Sequence, residues 1–364
     1  SSRSLGGPLQ VTPGRRMRTA RAALALARPP ARRRQHRRYL RLEGASGAAV
    51  AAHMAEPPTK RAQVPVAVRA SLDYQKHVPG KRTGRYIGRE DEGDLADEHE
   101  PHEVDLRNAR MLSPSATLDT RCFELRRHPT AVKDFRDDEE VKRVYYQEVE
   151  ALVKEATGAE RVIVFDHTVR ETTVSNLNSL QAGGSSSAVR RVHTDYSDKS
   201  GPKRLRTLAE SGGYTGVKLS SEEKDEILKR DFLIVNVWRN IKEDEPVVRA
   251  PLAVLDPASL DKEDFVVYEM HYPERIGAIE GKSSARICHL PGENYALRFR
   301  EQHEWFFYPR MEKDECLVFK TFESRTDVPR YCFHTAFEDP ATPADAPPRM
   351  SIECRSVAVL PGKM

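Results

Sequence analysis

Short runs of apolar and β-branched residues, separated by Pro, Gly, Asp and Asn, dominate the second half of the chain. Eight such runs follow one another, at residues 232–239, 251–255, 265–271, 295–299, 305–308, 316–322, 331–335 and 350–359. Runs of this length, broken by turn-forming residues, are typical of the strands of a sandwich or barrel. We therefore predict a mainly β fold with flanking helices, built on a double-stranded β-helix core of the jelly-roll or cupin-like type.

Two stretches ahead of these runs have the periodicity of amphipathic helices. A stripe of apolar residues that recurs every three or four positions predicts a helix over residues 138–157, which Gly158 ends. A shorter helix is predicted over residues 222–229, with Ser221 as its N-terminal cap. Between them, the Gly- and Ser-rich residues 181–187 predict a flexible loop.

The first 53 residues differ in composition from the rest of the chain. They contain 12 Arg, no Lys and a single acid, Glu43, so they carry a net charge of +11 and leave −7 for the remainder. This composition is typical of an organelle transit peptide, and it is also typical of a disordered basic extension that is not native to the protein, which is the interpretation that we favour. Residues 54–103 predict a loosely ordered N-terminal arm, and residues 104–364 predict a single jelly-roll domain.

The charge distribution, the cysteine content and the absence of certain motifs limit the partners, compartments and enzyme classes that the sequence predicts. The basic balance comes from the leader alone, so it does not indicate a nucleic-acid-binding protein, and no apolar run is long enough to span a membrane. The five cysteines are scattered without a C-x-x-C pair, which predicts an intracellular and cytoplasmic protein, or an imported one if the leader is native. Phosphate-cradle, nucleophile-elbow and zinc-protease motifs are absent, and no pattern indicates the oligomeric state.

The polar stretch around His193 carries the most informative chemistry. His193 and Asp195 form an H-x-D pair, and alternate side chains of an extended segment share a face. His334, on a later predicted strand, supplies a second imidazole. Two imidazoles and one carboxylate on one face of a metal form the ligand set of non-haem Fe(II) oxygenases, in which the other coordination positions stay open. We therefore predict that His193, Asp195 and His334 bind Fe(II) and form the catalytic centre.

The last predicted strand has one polar and one apolar face. Arg349, Ser351, Glu353 and Arg355 alternate with apolar residues. The polar face either meets solvent, as is usual in an antiparallel sheet, or lines a pocket for an acidic co-substrate. Arg suits the bidentate capture of a carboxylate, and a hydroxyl two residues further on reaches the same group. Arg349 with Ser351 is therefore the candidate co-substrate site, and Arg355 competes for that role.

Seven segments of the chain, in this order, resemble one known family. They are residues 164–170 (VFDHTVR), 192–196 (VHTDY), 236–239 (NVWR), 251–256 (PLAVLD), 305–309 (WFFYP), 334–337 (HTAF) and 347–353 (PPRMSIE). From about residue 105 on, the chain resembles the hydroxylase/desaturase family of microbial secondary metabolism, which includes gibberellin-desaturase-like proteins and relatives from the aspergillic acid and cephamycin pathways. Family members often have Pro after N-V-W-R, where this chain has Asn240, so the loop that follows departs from the family pattern.

This resemblance implies a specific activity and a specific set of cofactors. The protein would be an Fe(II)- and 2-oxoglutarate-dependent oxygenase that uses dioxygen to hydroxylate or desaturate an unactivated C–H bond of a small-molecule metabolite. His193, Asp195 and His334 match the family's iron ligands. Arg349 and Ser351 match the R-x-S pattern that holds 2-oxoglutarate.

Further candidates and functions stay open at the level of the sequence. Asn236 falls in a characteristic strand of the family and is a further candidate for contact with the cofactors. One alternative function is an oxoglutarate-independent, cupin-type metal dioxygenase, in which Arg349 makes only a structural ion pair. Another is a non-catalytic barrel that binds a small molecule. Dependence on 2-oxoglutarate separates the first alternative from the predicted oxygenase, and stoichiometric uptake of Fe(II) separates the second.

Overall fold

The computed structural model describes residues 65–86, 94–172, 188–210, 212, 217–271 and 292–362. They belong to a single unit that covers residues 62–364. The predicted basic leader, residues 1–53, and the predicted loop, residues 181–187, lie outside the described residues, so both stay predictions.

Short strands make up most of the described chain. In chain order they are β1 (Ala67–Gln75), β2 (Arg82–Tyr86), β3 (Leu95–Ala96), β4 (His99–Asn108), β5 (Phe123–Arg127), β6 (Arg161–Thr172), β7 (His193–Thr194), β8 (Phe232–Asn240), β9 (Leu252–Leu255), β10 (Phe265–His271), β11 (Gly292–Leu297), β12 (Trp305–Phe307), β13 (Glu315–Glu323), β14 (His334–Ala336) and β15 (Arg349–Val359). The α-helices are α1 (Leu118–Arg121), α2 (Asp138–Glu140), α3 (Tyr146–Thr157), α4 (Ser200–Glu210) and α5 (Ser221–Leu228), and a π-helical turn, Val141–Tyr145, joins α2 to α3. Single 3₁₀ turns occur at Ala109–Met111, Pro257–Ser259 and Lys262–Asp264.

Two sheets face each other across an apolar interior. The larger has ten strands in the order β1-β4-β12-β9-β14-β7-β11-β10-β2-β3, and the smaller has five in the order β5-β13-β8-β15-β6. Val254 and Phe306 from the larger sheet pack in one cluster with Trp238 and Phe319 from the smaller sheet. Two packed sheets with this non-sequential strand order form a jelly roll, so the predicted fold class is confirmed.

The N-terminal arm is more ordered than predicted, and the expectation of a loosely ordered segment over residues 54–103 is wrong for much of its length. Strand β1 pairs antiparallel with β4 along all nine of its residues, and this pair forms one edge of the larger sheet. Val68, Ala70, Leu72 and Tyr74 are buried. Polar and charged residues alternate with them, which is the pattern of a half-buried strand even though the average hydropathy of the segment is low.

The two predicted helices form, with one correction. Residues 138–157 are helical throughout, and Gly158 ends them in the left-handed conformation at φ 66°. The shorter helix is capped by Ser220 rather than Ser221. The side chain of Ser220 accepts from the Glu223 N–H at 3.1 Å, and the Glu223 carboxylate accepts from the Ser220 N–H at 2.8 Å. This reciprocal pair needs a Glu three residues after the cap, a spacing that Ser220 has and Ser221 lacks.

Helix α3 covers the outer face of the smaller sheet. Val149 and Leu152 of the helix pack in one cluster with Ile352 and Cys354 of β15. Alternate residues of a strand point to opposite faces. The polar residues that alternate with Ile352 and Cys354 along β15 therefore point to the interior between the sheets. Helix α3 covers the apolar face of β15, so the opposite, polar face lies inside the protein. The interpretation of that polar face as solvent-facing is therefore wrong.

Candidate metal centre

Neighbouring strands bring the three predicted metal ligands together. His193 on β7 lies directly opposite His334 on β14, and the two ring centroids are 4.5 Å apart. Asp195 follows β7 by one residue. One ligand atom from each of the three side chains can be chosen so that all three lie within 4.8 Å of one another. This spacing lets one ion contact all three groups.

Main-chain hydrogen bonds orient both imidazoles in the same way. His193 Nδ1 lies 2.8 Å from the carbonyl oxygen of Arg191, and His334 Nδ1 lies 3.1 Å from the carbonyl oxygen of Cys332. A carbonyl oxygen only accepts hydrogen bonds, so Nδ1 is the protonated nitrogen in each ring and Nε2 keeps its lone pair. His193 Nε2 lies 3.7 Å from Asp195 Oδ1. Each histidine therefore offers Nε2 to the space between the three residues, as in metal sites whose ligands are oriented by a hydrogen bond on the other ring nitrogen.

The Asp195 carboxylate is held by its outer oxygen. Asn236 Nδ2 donates to Oδ2 at 2.8 Å, and Arg355 Nε donates to the same atom at 3.3 Å. Burial raises the pKa of Asp195, whereas the charge of Arg355 and the two imidazoles lower it. The lowering effects together are larger, so the pKa of Asp195 lies below its ordinary value. Burial, followed by the neighbouring His334 and Arg191, lowers the pKa of His193 well below its usual value. The site thus offers nitrogen and carboxylate donors that suit a divalent first-row metal.

Asn236 occupies a different place from the one that the sequence indicated. It was a candidate for cofactor binding, yet its side chain contacts Asp195 and, at 3.0 Å, Glu353 Oε1. Its neighbour across the sheet is Arg355, and it lies far along the strand from the position opposite Ser351. Asn236 therefore holds the carboxylate of Asp195 in place.

Arg355, the competing co-substrate residue, is fully engaged with carboxylates. Its guanidinium contacts Asp195, Asp166 at 3.4 Å and Glu353. Its side chain is 13% exposed, so solvent does little to screen these pairs. Arg355 has no free charge to offer a further anion.

Arg349, six residues earlier on the same face of β15, has the opposite surroundings. Its Nη1 donates to the carbonyl oxygen of Ala250 at 2.7 Å, and its guanidinium lies 5.7 Å from the ring centre of Trp238. Its Nε is buried without a hydrogen-bond partner, as is Ser351 Oγ two residues on. Across the described part of the chain, no carboxylate lies within ion-pair distance of Arg349, and burial lowers the pKa of its guanidinium. The pair Arg349 and Ser351 is therefore a buried cation and hydroxyl without an anion.

Arg191, whose carbonyl group orients His193, was not among the residues predicted from the sequence. The signal was present, because Arg191, His193 and Asp195 alternate as R-x-H-x-D in one extended segment. Its side chain is buried on the same face as the metal-facing residues.

A jelly roll that holds two imidazoles and a carboxylate on neighbouring strands is the architecture of a non-haem iron oxygenase. Residues 72–359 match the family model described as Oxidoreductase/YMDC permease-like domain. The alpha-ketoglutarate-dependent dioxygenase phiK of Fungal sp. is 30% identical over 276 residues, which cover 74% of this chain and 90% of phiK. The hydroxylase/desaturase efuI of Hormonema carpetanum is 28% identical over 261 residues, which cover 69% of this chain and 81% of efuI.

The fold has relatives among solved structures as well. The iron and alpha-ketoglutarate-dependent endoperoxidase NvfI superposes with a TM-score of 0.64 at 24% identity, over 82% of this chain and 99% of that one. The chain belongs to the hydroxylase/desaturase family of Fe(II)- and 2-oxoglutarate-dependent dioxygenases. The resemblance found in the sequence is thereby confirmed. Among the described residues, no helix has the length and apolar character needed to cross a membrane.

Proposed function

We propose that this protein is an Fe(II)- and 2-oxoglutarate-dependent oxygenase that hydroxylates or desaturates an unactivated C–H bond of a small-molecule metabolite. The observation that carries this proposal beyond family membership is the buried guanidinium of Arg349, which has no acidic partner among the described residues. An isolated buried charge is costly, and an acidic co-substrate removes that cost.

The residues assigned to iron are His193, Asp195 and His334. His193 and His334 would coordinate through Nε2 and Asp195 through Oδ1, because the other atom of each side chain already has a hydrogen bond. Three protein ligands leave coordination positions for a bidentate co-substrate and dioxygen.

The residues assigned to 2-oxoglutarate are Arg349 and Ser351. A guanidinium binds a carboxylate with two parallel hydrogen bonds, and a hydroxyl on the same strand face adds a third. When bound, iron and 2-oxoglutarate supply the oxidation of a C–H bond by dioxygen, with succinate and carbon dioxide as co-products. The chain itself orients the substrate and excludes water. Phe319, whose ring centre is 4.8 Å from that of His334, and Trp238 line the site with aromatic surface.

The proposed partner is therefore a small molecule, and the proposed location is intracellular. Four cysteines, Cys122, Cys316, Cys332 and Cys354, are buried free thiols, as suits a reducing compartment. Cell fractionation with an antibody against the protein tests this location, and recovery from the culture medium would contradict it.

The central test is an anaerobic titration of the full-length protein with Fe(II) and then 2-oxoglutarate. The visible charge-transfer band between iron and bound 2-oxoglutarate is expected with the wild type. Arg349→Met should need much more 2-oxoglutarate to reach the same band. Arg69→Met, which removes an exposed arginine paired with Asp105, serves as the matched control and should behave as the wild type.

Each other outcome points to a different function. Binding of Fe(II) without a charge-transfer band would indicate an oxoglutarate-independent dioxygenase. A folded protein that takes up no Fe(II) would indicate a non-catalytic barrel. Equal 2-oxoglutarate affinity in wild type and Arg349→Met would remove Arg349 from the co-substrate site.

A further inference from the structure

A second buried arginine, Arg191, lies two residues before the first metal-facing histidine. Alternate residues of an extended segment share a face, so Arg191 points to the same side as His193, whereas Val192 packs in an apolar cluster on the other side. The carbonyl group of Arg191 already orients His193. Neither the iron ligands nor the proposed 2-oxoglutarate site accounts for its guanidinium.

The Arg191 guanidinium has no acidic partner among the residues that the structure describes. Its Nε and Nη1 are buried without hydrogen-bond partners, and Nη2 lies 3.9 Å from the sulfur of Met270. The carboxylates whose charges act on it, Asp97 and Asp195, lie beyond ion-pair distance and have other partners. Asp97, for example, accepts from the Tyr268 hydroxyl at 2.5 Å.

The surroundings of Arg191 combine apolar surface with one unsatisfied amide. The ring centre of Tyr268 lies 4.2 Å from the guanidinium carbon. Asn294 is opposite Tyr268 in the sheet, and Ala296, two residues on, is opposite His193, so Asn294 shares the face of His193. Asn294 is 2% exposed, and its Oδ1 has no hydrogen-bond partner. The Arg191 guanidinium and the Asn294 side chain therefore both lie next to Tyr268, and the free atom of Asn294 is a hydrogen-bond acceptor.

We propose that Arg191 binds a carboxylate of the organic substrate. This inference rests on the proposed function, and it names the substrate class as carboxylic acids with an apolar body. A contact with an aromatic ring does not offset the cost of burying a cation, whereas a carboxylate supplies both the charge and two acceptors for Nε and Nη. Tyr268 and Met270 line the same space with apolar surface, which favours an organic acid over a strongly hydrated phosphate.

Four arginines of the described residues, Arg191, Arg239, Arg249 and Arg349, are buried without a carboxylate partner. Arg239 donates to a main-chain carbonyl and to Cys316 Sγ, and Arg249 donates to three main-chain carbonyls. Arg191 and Arg349 have the fewest hydrogen bonds of the four, and the proposed chemistry has two anions to place. One is the distal carboxylate of 2-oxoglutarate, and Arg349 suits it because Ser351 adds a hydroxyl on the same face. Arg191, two residues before the proposed iron ligand His193, is left for the molecule that must be held beside the iron. Exchange of these two roles is an outcome that the experiment distinguishes.

The experiment compares decanoate with decan-1-ol, which have chains of equal length but differ in charge. The full-length protein is loaded anaerobically with Fe(II) and saturating 2-oxoglutarate, which blocks the co-substrate site. Binding of each probe is measured from the broadening of its proton NMR signals by the paramagnetic iron, and in metal-free protein from the shift in Tm. The variants are Arg191→Met, Arg191→Lys and Arg349→Met.

We expect the wild type to bind decanoate at least about tenfold more tightly than decan-1-ol, the size of effect that a charged hydrogen-bond pair gives. Arg191→Met should abolish this preference, and Arg191→Lys should keep part of it. In metal-free protein, Arg349→Met should keep the preference. The affinity for 2-oxoglutarate, read from the charge-transfer band, should change less than about twofold in both Arg191 variants.

Several results would overturn the inference. They are equal binding of the two probes by the wild type, no binding of decanoate, or a preference that survives in a folded Arg191→Met variant. Loss of 2-oxoglutarate affinity in Arg191→Met would place Arg191 in the co-substrate site instead. If the wild type forms no charge-transfer band while metal-free protein binds decanoate through Arg191, the proposed function fails and the anion site stands. Arg191→Lys decides the matter if Arg191→Met does not fold.

Discussion

Arg349 and Arg355 lie six residues apart on the face of β15 that points between the two sheets, where Arg349 is buried and the side chain of Arg355 is 13% exposed. Arg355 contacts three carboxylates, one of which is the metal-facing Asp195. Arg349 contacts a main-chain carbonyl and an aromatic ring, and no carboxylate of the described residues pairs with it. The described part of the folded chain supplies carboxylates for Arg355 and none for Arg349.

The difference suggests a criterion for the role of a buried charged side chain: one that pairs with carboxylates of the chain stabilises the fold, and one without such a pair is a candidate for ligand binding. Removal of one partner from a buried ion pair costs about 3–5 kcal/mol, because the remaining charge is left uncompensated. A buried cation without a counter-charge lowers the stability of the ligand-free protein. When an anionic ligand binds, it removes this unfavourable free energy, which adds to the affinity for that ligand. Arg355 should therefore matter most for stability and iron binding, and Arg349 for 2-oxoglutarate.

The largest effect is expected at the carboxylate that Arg355 shares with the metal. Asp195→Ala removes a proposed metal ligand, so 2-oxoglutarate-dependent oxygen uptake should fall by at least about a thousandfold, as is common when a group central to the reaction is lost. Chelator competition should show the loss of tight Fe(II) binding. Asp105→Ala, at an exposed ion pair on the larger sheet, is the control. Retained Fe(II) affinity in Asp195→Ala would exclude the proposed ligand set.

The next effect concerns the unpaired arginine. Arg349→Met should raise the Kd for 2-oxoglutarate by about 30- to 4,000-fold, since loss of one partner from a buried charged pair costs about 2–5 kcal/mol. Anaerobic titration of the charge-transfer band measures it. Fe(II) affinity, from chelator competition, should stay within about threefold of the wild type because Arg349 contacts none of the three ligands.

The same variant gives a second and opposite measurement. Without 2-oxoglutarate, Arg349→Met should unfold at the same or a higher urea concentration than the wild type, because an uncompensated buried cation is replaced by an apolar side chain. With 2-oxoglutarate present, only the wild type should gain stability. A clear loss of stability in the ligand-free variant would mean that Arg349 has a structural partner.

Arg355→Met should give the reverse pattern. Asp195, Asp166 and Glu353 lose their cation, so the free energy of unfolding should fall by about 3–5 kcal/mol and Fe(II) affinity by about 10- to 100-fold. Urea denaturation and chelator competition measure the two quantities. The intrinsic affinity for 2-oxoglutarate, measured at saturating Fe(II), should change far less than in Arg349→Met. If the two variants lose 2-oxoglutarate equally, the contrast between the arginines has no functional meaning.

The fold was largely predictable because its second half has contiguous apolar strands. The predicted run at residues 232–239 corresponds to β8, and the run at residues 350–359 corresponds to β15. The N-terminal strand β1 was missed since its buried residues alternate with charged ones, and its stability depends on pairing with β4, a contact between distant parts of the sequence.

The residue types of the candidate site could be predicted from the sequence, but which arginine pairs with carboxylates could not. Alternation along β15 places Arg349 and Arg355 on one face, and no local pattern separates them. Only the tertiary fold brings Asp166 and Asp195 to Arg355 and leaves Arg349 without an anion. For the same reason the sequence predicted the strand that holds Asn236 but not its contact with Asp195, because β8 and β7 belong to different sheets that meet only in the folded chain.

The smallest expected effect lies at Ser351, whose hydroxyl is buried without a partner. Ser351→Ala removes one neutral donor from the anion that Arg349 is proposed to bind, and a single neutral hydrogen bond is worth about 0.5–1.5 kcal/mol, so the Kd for 2-oxoglutarate should rise by about 2- to 12-fold. The matched control is Ser356→Ala, which removes a hydroxyl that donates to the carbonyl oxygen of Val235 and should leave the Kd unchanged.

A double-mutant cycle with Arg349→Met sharpens the result. If both side chains hold the same carboxylate, the loss from Ser351→Ala should shrink once the arginine is gone. Fully additive effects would mean that the two groups act on separate sites.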